Sequence, residues 1–428
     1  MTSNRTLSIH QPEDILGYIP HMLGYWPEDS LVAITMQGKV LGATLRVDLP
    51  RLGSRQANKD FADQIRSFLI ADEDANGVVL AVYTDSGWED GMVVRQAIPL
   101  LEALQVSLDE VDLSVRDAWL VGSEYWRSAY CTDIECCPVP GLSVDRIKNS
   151  RLSTELVYRG SFIGPSPGSE PGKSRTACPG ALDPLVLAAE SRYGKQILGR
   201  WRSEYCLDAV LAVWRNVLKR VEAGHPLQPG ADAHIMGFLR ATLRIPAWRD
   251  AVVVMAAAGV ESAKSGALAF GLFDDDGNYN DNDTDINGRD TPFDPQELGV
   301  AGPVLPAAKG SSERNANGDV FTYGDVLLGM QPSMPCWSAL DALQKVLAGL
   351  CVEAESGVVP AAVLTLQGWI AWCKGRGSIA HACLSGAEAA QPGYRLAELL
   401  MGLLGQGTIC PWARSSSTAW RGVRGTVA

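Results

Sequence analysis

Three cysteines stand close together in this chain, at Cys131, Cys136 and Cys137, and Pro138 follows them. Thiolates bind soft metals and exchange disulfides, so the cluster suggests a metal site or a redox pair. A structural zinc site needs four ligands, usually as two spaced pairs. Only three thiols are present, two of them adjacent, so a fourth ligand has to come from Cys178 or a distant histidine. The plainer reading is a turn with structural thiols, with a Cys131–Cys136 or Cys131–Cys137 disulfide as a further form.

Oxygen ligands are also spaced suggestively. Asp283, Asp285, Asn287 and Asp294 fall at positions 1, 3, 5 and 12 of a calcium loop, with Gly288 at position 6 and Thr291 between. Position 12 is an aspartate, shorter than the usual glutamate, and Pro292 interrupts the loop. A solvated acidic loop is the alternative. Gly168–Ser174 resembles a phosphate-binding loop but has one residue too few between its glycines, and Pro171 removes an amide. Gly164–Gly168 matches a nucleophile elbow by letters, yet its two prolines cannot form the strand-to-helix turn. No cofactor follows from any of these segments.

Glu28, Asp29 and Ser30 precede an apolar strand and lie near His21 in sequence. Arg46 and Asp48 share one face of the next strand by its two-residue period. Together they outline a ligand site at the strand ends. The plainer account gives Asp29 and Ser30 turn hydrogen bonds, and Arg46 and Asp48 a local ion pair. No two of the five histidines are spaced i, i+4, so no helical metal pair exists. Trp369 and Trp372, among twelve tryptophans, could anchor a protein partner if exposed, because aromatics dominate interface hot spots. Packing in the core is the ordinary fate of such residues.

The elements that position these residues change in kind along the chain. Over the first 160 residues, apolar runs at 31–36, 39–49, 78–83 and 118–121 read as strands. Helical stripes intervene at 58–70 and 92–104, where Pro99 should start or kink the second. The Gln37-Gly38 hairpin makes the sheet mixed. The expectation is an α/β N-terminal domain over residues 1–160, followed by a mainly α-helical domain. A Gly/Pro/Ser linker covers 161–180. The helical domain runs over 181–271 and 321–408, separated by an acidic flexible insertion at 272–320, and a poorly ordered tail follows at 409–428.

Residues 15–32, Ile-Leu-Gly-Tyr-Ile-Pro-His-Met-Leu-Gly-Tyr-Trp-Pro-Glu-Asp-Ser-Leu-Val, form a recognisable stretch. Arg46-Val47-Asp48-Leu49-Pro50, the Cys131…Cys136-Cys137-Pro138…Gly141 segment, Gly368–Trp372 and Pro392–Leu400 follow in order. The sequence thereby resembles the actinobacterial domain of unknown function 4192 family. The resemblance covers both ends of the chain. It implies a cytoplasmic protein and supplies neither an activity nor catalytic residues. The linker at 160–180 and the acidic stretch depart from the family pattern.

Composition sets the outer limits. The 428 residues are 46% hydrophobic, enough for a large core, and carry a net charge of −12. That balance argues against a general nucleic-acid binder, which needs basic surface to displace counterions. Segment sums refine it: about −10 over 1–172, +5 over 173–270 and −8 over 271–320. No apolar run approaches the roughly 20 residues of a membrane helix. Three readings therefore stay open: a protein-interaction or scaffold module, a small-ligand binder or enzyme at the strand ends, and a thiol or metal protein.

Overall fold

A computed structural model describes residues 7–50, 54–158, 163, 182–198, 201–272, 293–299, 322–352, 355–414, 417–420 and 425–427. The chain divides into two compact units. The first comprises Met1–Pro171, Lys374–Ile379 and Ala413–Ala428, and the second Gly172–Cys373 and Ala380–Trp412.

Unit 1 contains β1 (Leu7–Ile9), α1 (Pro12–Leu23), β2 (Ser30–Gln37), β3 (Val40–Asp48), α2 (Arg55–Leu69), β4 (Gly77–Tyr83) and α3 (Val93–Asp109). It continues with β5 (Ser114–Val121), β6 (Tyr125–Ser128), β7 (Leu142–Ser143), α4 (Asp145–Lys148) and α5 (Arg151–Tyr158), and ends with β8 (Gly425–Val427). The strands form one mixed sheet in the order β1-β8-β3-β2-β4-β5-β6-β7. The β2–β3 hairpin and the β2–β4 pair are antiparallel, whereas β4 and β5 run parallel through the α3 crossover.

Alternation sorts the central strands onto two cores. Leu31, Ala33, Leu80, Val82, Ala118 and Leu120 face α2 and α3. Val32, Ile34, Ala81, Tyr83, Trp119 and Val121 face the layer of α1, α4 and α5. Because both faces are covered, β4 is buried along its whole length, which explains its unbroken apolar run.

Helix α1 explains part of the signature stretch. Pro12 begins it, Glu13 and Asp14 fill its first turn, and Gly24 ends it at φ +83°. Helix α3 corrects an expectation, since it starts at Val93 and runs through Pro99. One missing hydrogen bond is outweighed because Val93, Ala97, Leu100, Leu101, Leu104 and Leu108 are all buried on the sheet.

Unit 2 is helical. Its elements are α6 (Pro184–Ile197), α7 (Glu204–Glu222), α8 (Ala233–Leu243), α9 (Pro246–Ala258), α10 (Val260–Ala269), α11 (Tyr323–Leu327) and α12 (Trp337–Leu350). Then come α13 (Val358–Cys373), α14 (Gly377–Ala390), α15 (Arg395–Gly405) and α16 (Pro411–Arg414); the first residues of α14 and the last of α16 belong to unit 1. Gly237 lets α8 lie against α6, for a Cβ there would stand 2.7 Å from the Glu190 amide nitrogen. Buried Arg240 organises the centre. It donates to Glu190 at 2.7 Å, to the Leu350 carbonyl at 2.6 Å and to Glu355 at 2.5 Å.

Buried residues also occur at described positions of the segments read as insertion and tail. Within the acidic stretch, Phe293 and Leu298 are buried, and Phe293 meets Phe238 at 4.7 Å between ring centroids. Two apolar anchors inside a polar segment escape a periodicity search. The start of the tail is also fixed. Cys410 and Trp412 are buried, and Trp412 donates from Nε1 to the Pro332 carbonyl at 2.7 Å. A single tryptophan removes enough apolar surface from water to hold such a segment. Within unit 1, Trp420 carries Lys374 and Arg376 over its ring. The linker at 164–181 lies outside the described residues.

Candidate functional site

The end of the sheet at the start of β2 brings several polar groups into one cross-strand row. Register pairs Asp48 with Ser30, Ser30 with Tyr83, Tyr83 with Val121, and Val121 with Trp126. Residues paired in register share a face, and Tyr83, Val121 and Trp126 belong to the core under α1. Three side-chain atoms of this row are buried without a hydrogen-bond partner: Ser30 Oγ, Tyr83 Oη and Trp126 Nε1. Complete burial pushes the Tyr83 hydroxyl far above its ordinary pKa, so it stays protonated.

A cleft of about 520 Å³ lies beyond Trp26, and none of Ser30, Tyr83 and Trp126 lines it. Gly17, Pro20, Trp26, Ser123, Ile147, Lys148, Ser153, Val157 and Ile163 line it. Trp26 joins the cleft to the row, because its ring meets Tyr83 edge-on at 6.1 Å. Lys148 Nζ sits 5.7 Å from the Trp26 ring centre, placing a cation at the wall. Helix α1 approaches α4 and α5 closely because Gly17 has no side chain; a Cβ there would stand 2.6 Å from Ser150 Oγ. Glu13 and Arg146 bridge the same contact at 2.8 Å.

His21 and Ser153 meet at this wall, Nε2 to Oγ at 3.1 Å. Burial lowers the His21 pKa, which favours the neutral ring. A neutral imidazole at that distance can accept a serine proton. It also ties α1 to α5. The two residues are 132 positions apart, so no local spacing could have paired them. Ser153, Lys148, Tyr83 and Trp126 were all missed from the sequence for the same reason.

The residues expected at the strand ends are partly brought together. Arg46 pairs with Asp48 and donates to the Glu28 carbonyl at 3.1 Å. Glu28 and Asp29 are exposed. Asp29 adopts φ +38° and accepts the Leu49 amide through its backbone carbonyl at 2.9 Å. The local ion pair is therefore present. Ser30 departs from expectation, since its hydroxyl makes no turn hydrogen bond and is buried in the row.

The cysteine cluster is assembled. The sulfurs of Cys131, Cys136 and Cys137 all lie within 4.8 Å of one another, and all three are free thiols. Backbone hydrogen bonding at Asp133, with help from the Cys137 thiol, lowers the Cys131 pKa. Hydrogen bonding to Cys131 and its charge push Cys136 up to about 11.

The interaction candidates are corrected. Trp369 and Trp372 are buried rather than exposed, and they donate to the carbonyls of Leu327 and Thr408 at 2.8 Å each. Trp369 also packs edge-on against Trp412 at 6.1 Å. Of the calcium candidates, Asp283, Asp285, Asn287 and Thr291 lie outside the described residues. Asp294 is exposed and accepts the Gln296 amide at 2.8 Å.

Fold and site define an α/β protein with a cleft that Ser123, just past the carboxyl end of β5, helps to line, joined in one chain to a helical unit. The carboxyl ends of strands are where open α/β sheets place ligands. The chain belongs to the family described as Domain of unknown function (DUF4192), whose model matches residues 12–269 and 339–409. No curated protein and no solved structure matches it. Among the described residues, no helix is long and apolar enough to cross a membrane.

Proposed function

We propose that unit 1 binds a small organic anion with an apolar body in the cleft beside α1. The observation that carries this reading is the row of buried, partnerless polar atoms on Ser30, Tyr83 and Trp126, which the Trp26 ring links to the cleft although none of the three lines it. Buried polar groups without partners are rare in native proteins and call for an explanation. A ligand that turns the Trp26 ring aside and accepts hydrogen bonds supplies one. Tryptophan and lysine can only donate, so Trp126 and Lys148 favour an acceptor-rich group such as a carboxylate or phosphate. Trp26, Pro20, Ile147 and Val157 suit an apolar or aromatic remainder.

The cytoplasmic location and actinobacterial membership read from the sequence belong to the same proposal. Ten cysteines in 428 residues are far below the density of a disulfide scaffold, in keeping with a reducing compartment.

The test is a thermal-shift titration of the full chain with a panel of aromatic carboxylates and aromatic phosphates. Two variants report on the site. Val157→Trp fills the cleft from an exposed rim position, and Lys148→Glu reverses the charge of its cation. At a hundredfold excess over Kd, a binding member stabilises by about 2.7 kcal/mol. The expected result is a shift that both variants abolish. A panel without any shift, or a shift that persists undiminished in Val157→Trp, refutes the reading.

A further inference from the structure

The loop joining β6 to β7 carries chemistry that the cleft does not use. Its two ends are held by the sheet, since Tyr125 pairs with Ser143 and Trp126 with Leu142. Within it, Cys137 donates from its amide to the Asp133 carbonyl at 2.7 Å, and Glu135 donates from its amide to the Asp133 carboxylate at 2.9 Å. Arg127 reaches back to the Cys131 carbonyl at 3.4 Å. These bonds fold the segment so that residues five and six positions apart in sequence present their sulfurs to one point. All three sulfurs lie within 4.8 Å of each other. An ion about 2.3 Å from each of three thiolates needs sulfurs roughly 3.8–4.0 Å apart. The cluster needs only a small contraction to meet that distance.

We propose that Cys131, Cys136 and Cys137 form a three-thiolate site for a soft cation of the zinc or Cu(I) class. Thiolate ligands select such ions over hard cations. Among the described residues, no histidine, carboxylate or further cysteine joins the three sulfurs at ligand distance. Cu(I) is satisfied by three sulfurs, whereas zinc takes a fourth ligand from solvent at the exposed Cys136 side. Metal entry releases the thiol protons to water, so occupancy rises with pH.

The site is tested on the full chain, reduced and handled without oxygen. One arm receives one equivalent of Zn²⁺ and the other one equivalent of Cu(I), each against a competing chelator. Metal is measured by elemental analysis after desalting, and thiols by reaction with a disulfide reagent. The expected result is one ion per chain in one arm or both, with three fewer reactive thiols than in the metal-free protein. Cys131→Ser, Cys136→Ser and Cys137→Ser should each lower the affinity at least tenfold. Because Cys136 is exposed, its serine variant keeps the fold, and an unchanged unfolding midpoint without metal verifies this. Sub-stoichiometric metal in both arms with all three thiols reactive overturns the proposal. So does retention of full affinity in Cys136→Ser.

Discussion

Replacing Tyr83 by Phe removes one oxygen from the cross-strand row and leaves the ring that packs against Trp26. In the ligand-free protein that oxygen is buried at 1% residue exposure and has no partner. An unpaired buried hydroxyl costs about 1–3 kcal/mol, whereas an ordinary intramolecular hydrogen bond contributes about 1 kcal/mol. Tyr83→Phe should therefore stabilise the ligand-free protein by about 1 kcal/mol instead of destabilising it. For a unit of this size the melting temperature rises by roughly 2–4 °C. The same substitution should weaken binding of the best aromatic carboxylate or phosphate by roughly tenfold, the loss of one hydrogen bond at 1.4 kcal/mol per decade. Urea unfolding with an unchanged m-value measures the first effect, and isothermal titration the second. A variant less stable than wild type by about 1 kcal/mol shows that the fold itself satisfies the hydroxyl, and the reasoning then fails.

Three further predictions concern the frame around the site. Gly17→Ala places a Cβ 2.6 Å from Ser150 Oγ and 3.1 Å from the Ile147 carbonyl; urea denaturation should show a loss of about 1–3 kcal/mol from overpacking, and the ligand-induced shift should shrink. Arg240→Ala leaves the buried Glu190 carboxylate with Arg244 alone, at 3.5 Å, and removes the donor to the Leu350 carbonyl, and should cost about 3 kcal/mol in the same assay. His21 links stability to pH: burial lowers its pKa in the folded chain, while the unfolded chain keeps the ordinary 6.5. The unfolded state then binds more protons, so this contribution is full above about pH 6.5 and is lost as the pH falls below it. His21→Gln should flatten that part of a melting-temperature profile between pH 5 and 7.

Much of the fold was legible in local pattern. The apolar run 78–83 became the buried β4, and the Gln37-Gly38 break became the β2–β3 hairpin, with Gly38 at φ +64°. The mainly helical character of the second half was legible too. What escaped was set by contacts distant in sequence. The cleft exists because α1 and α5 close over one end of the sheet, and nothing near Ser153 in sequence announces His21. Strand β8 pairs with β1 from the far end of the chain, a contact invisible to any window. Trp369 and Trp372 illustrate the reverse error, since an apolar helix carries no mark of which tryptophans stay dry. The cysteine cluster was legible as spacing, and only the turn at Asp133 determines that the three sulfurs converge.

The most direct test of ligand binding in unit 1 is a crystal structure of the full chain soaked with the strongest member of the panel. The account predicts density for the ligand in the cleft, with the Trp26 ring turned aside from Tyr83. An acceptor atom of the ligand should lie within hydrogen-bond distance of Tyr83 Oη, Trp126 Nε1 or Ser30 Oγ. A ligand bound elsewhere, with those three atoms bonded to protein groups, would contradict it.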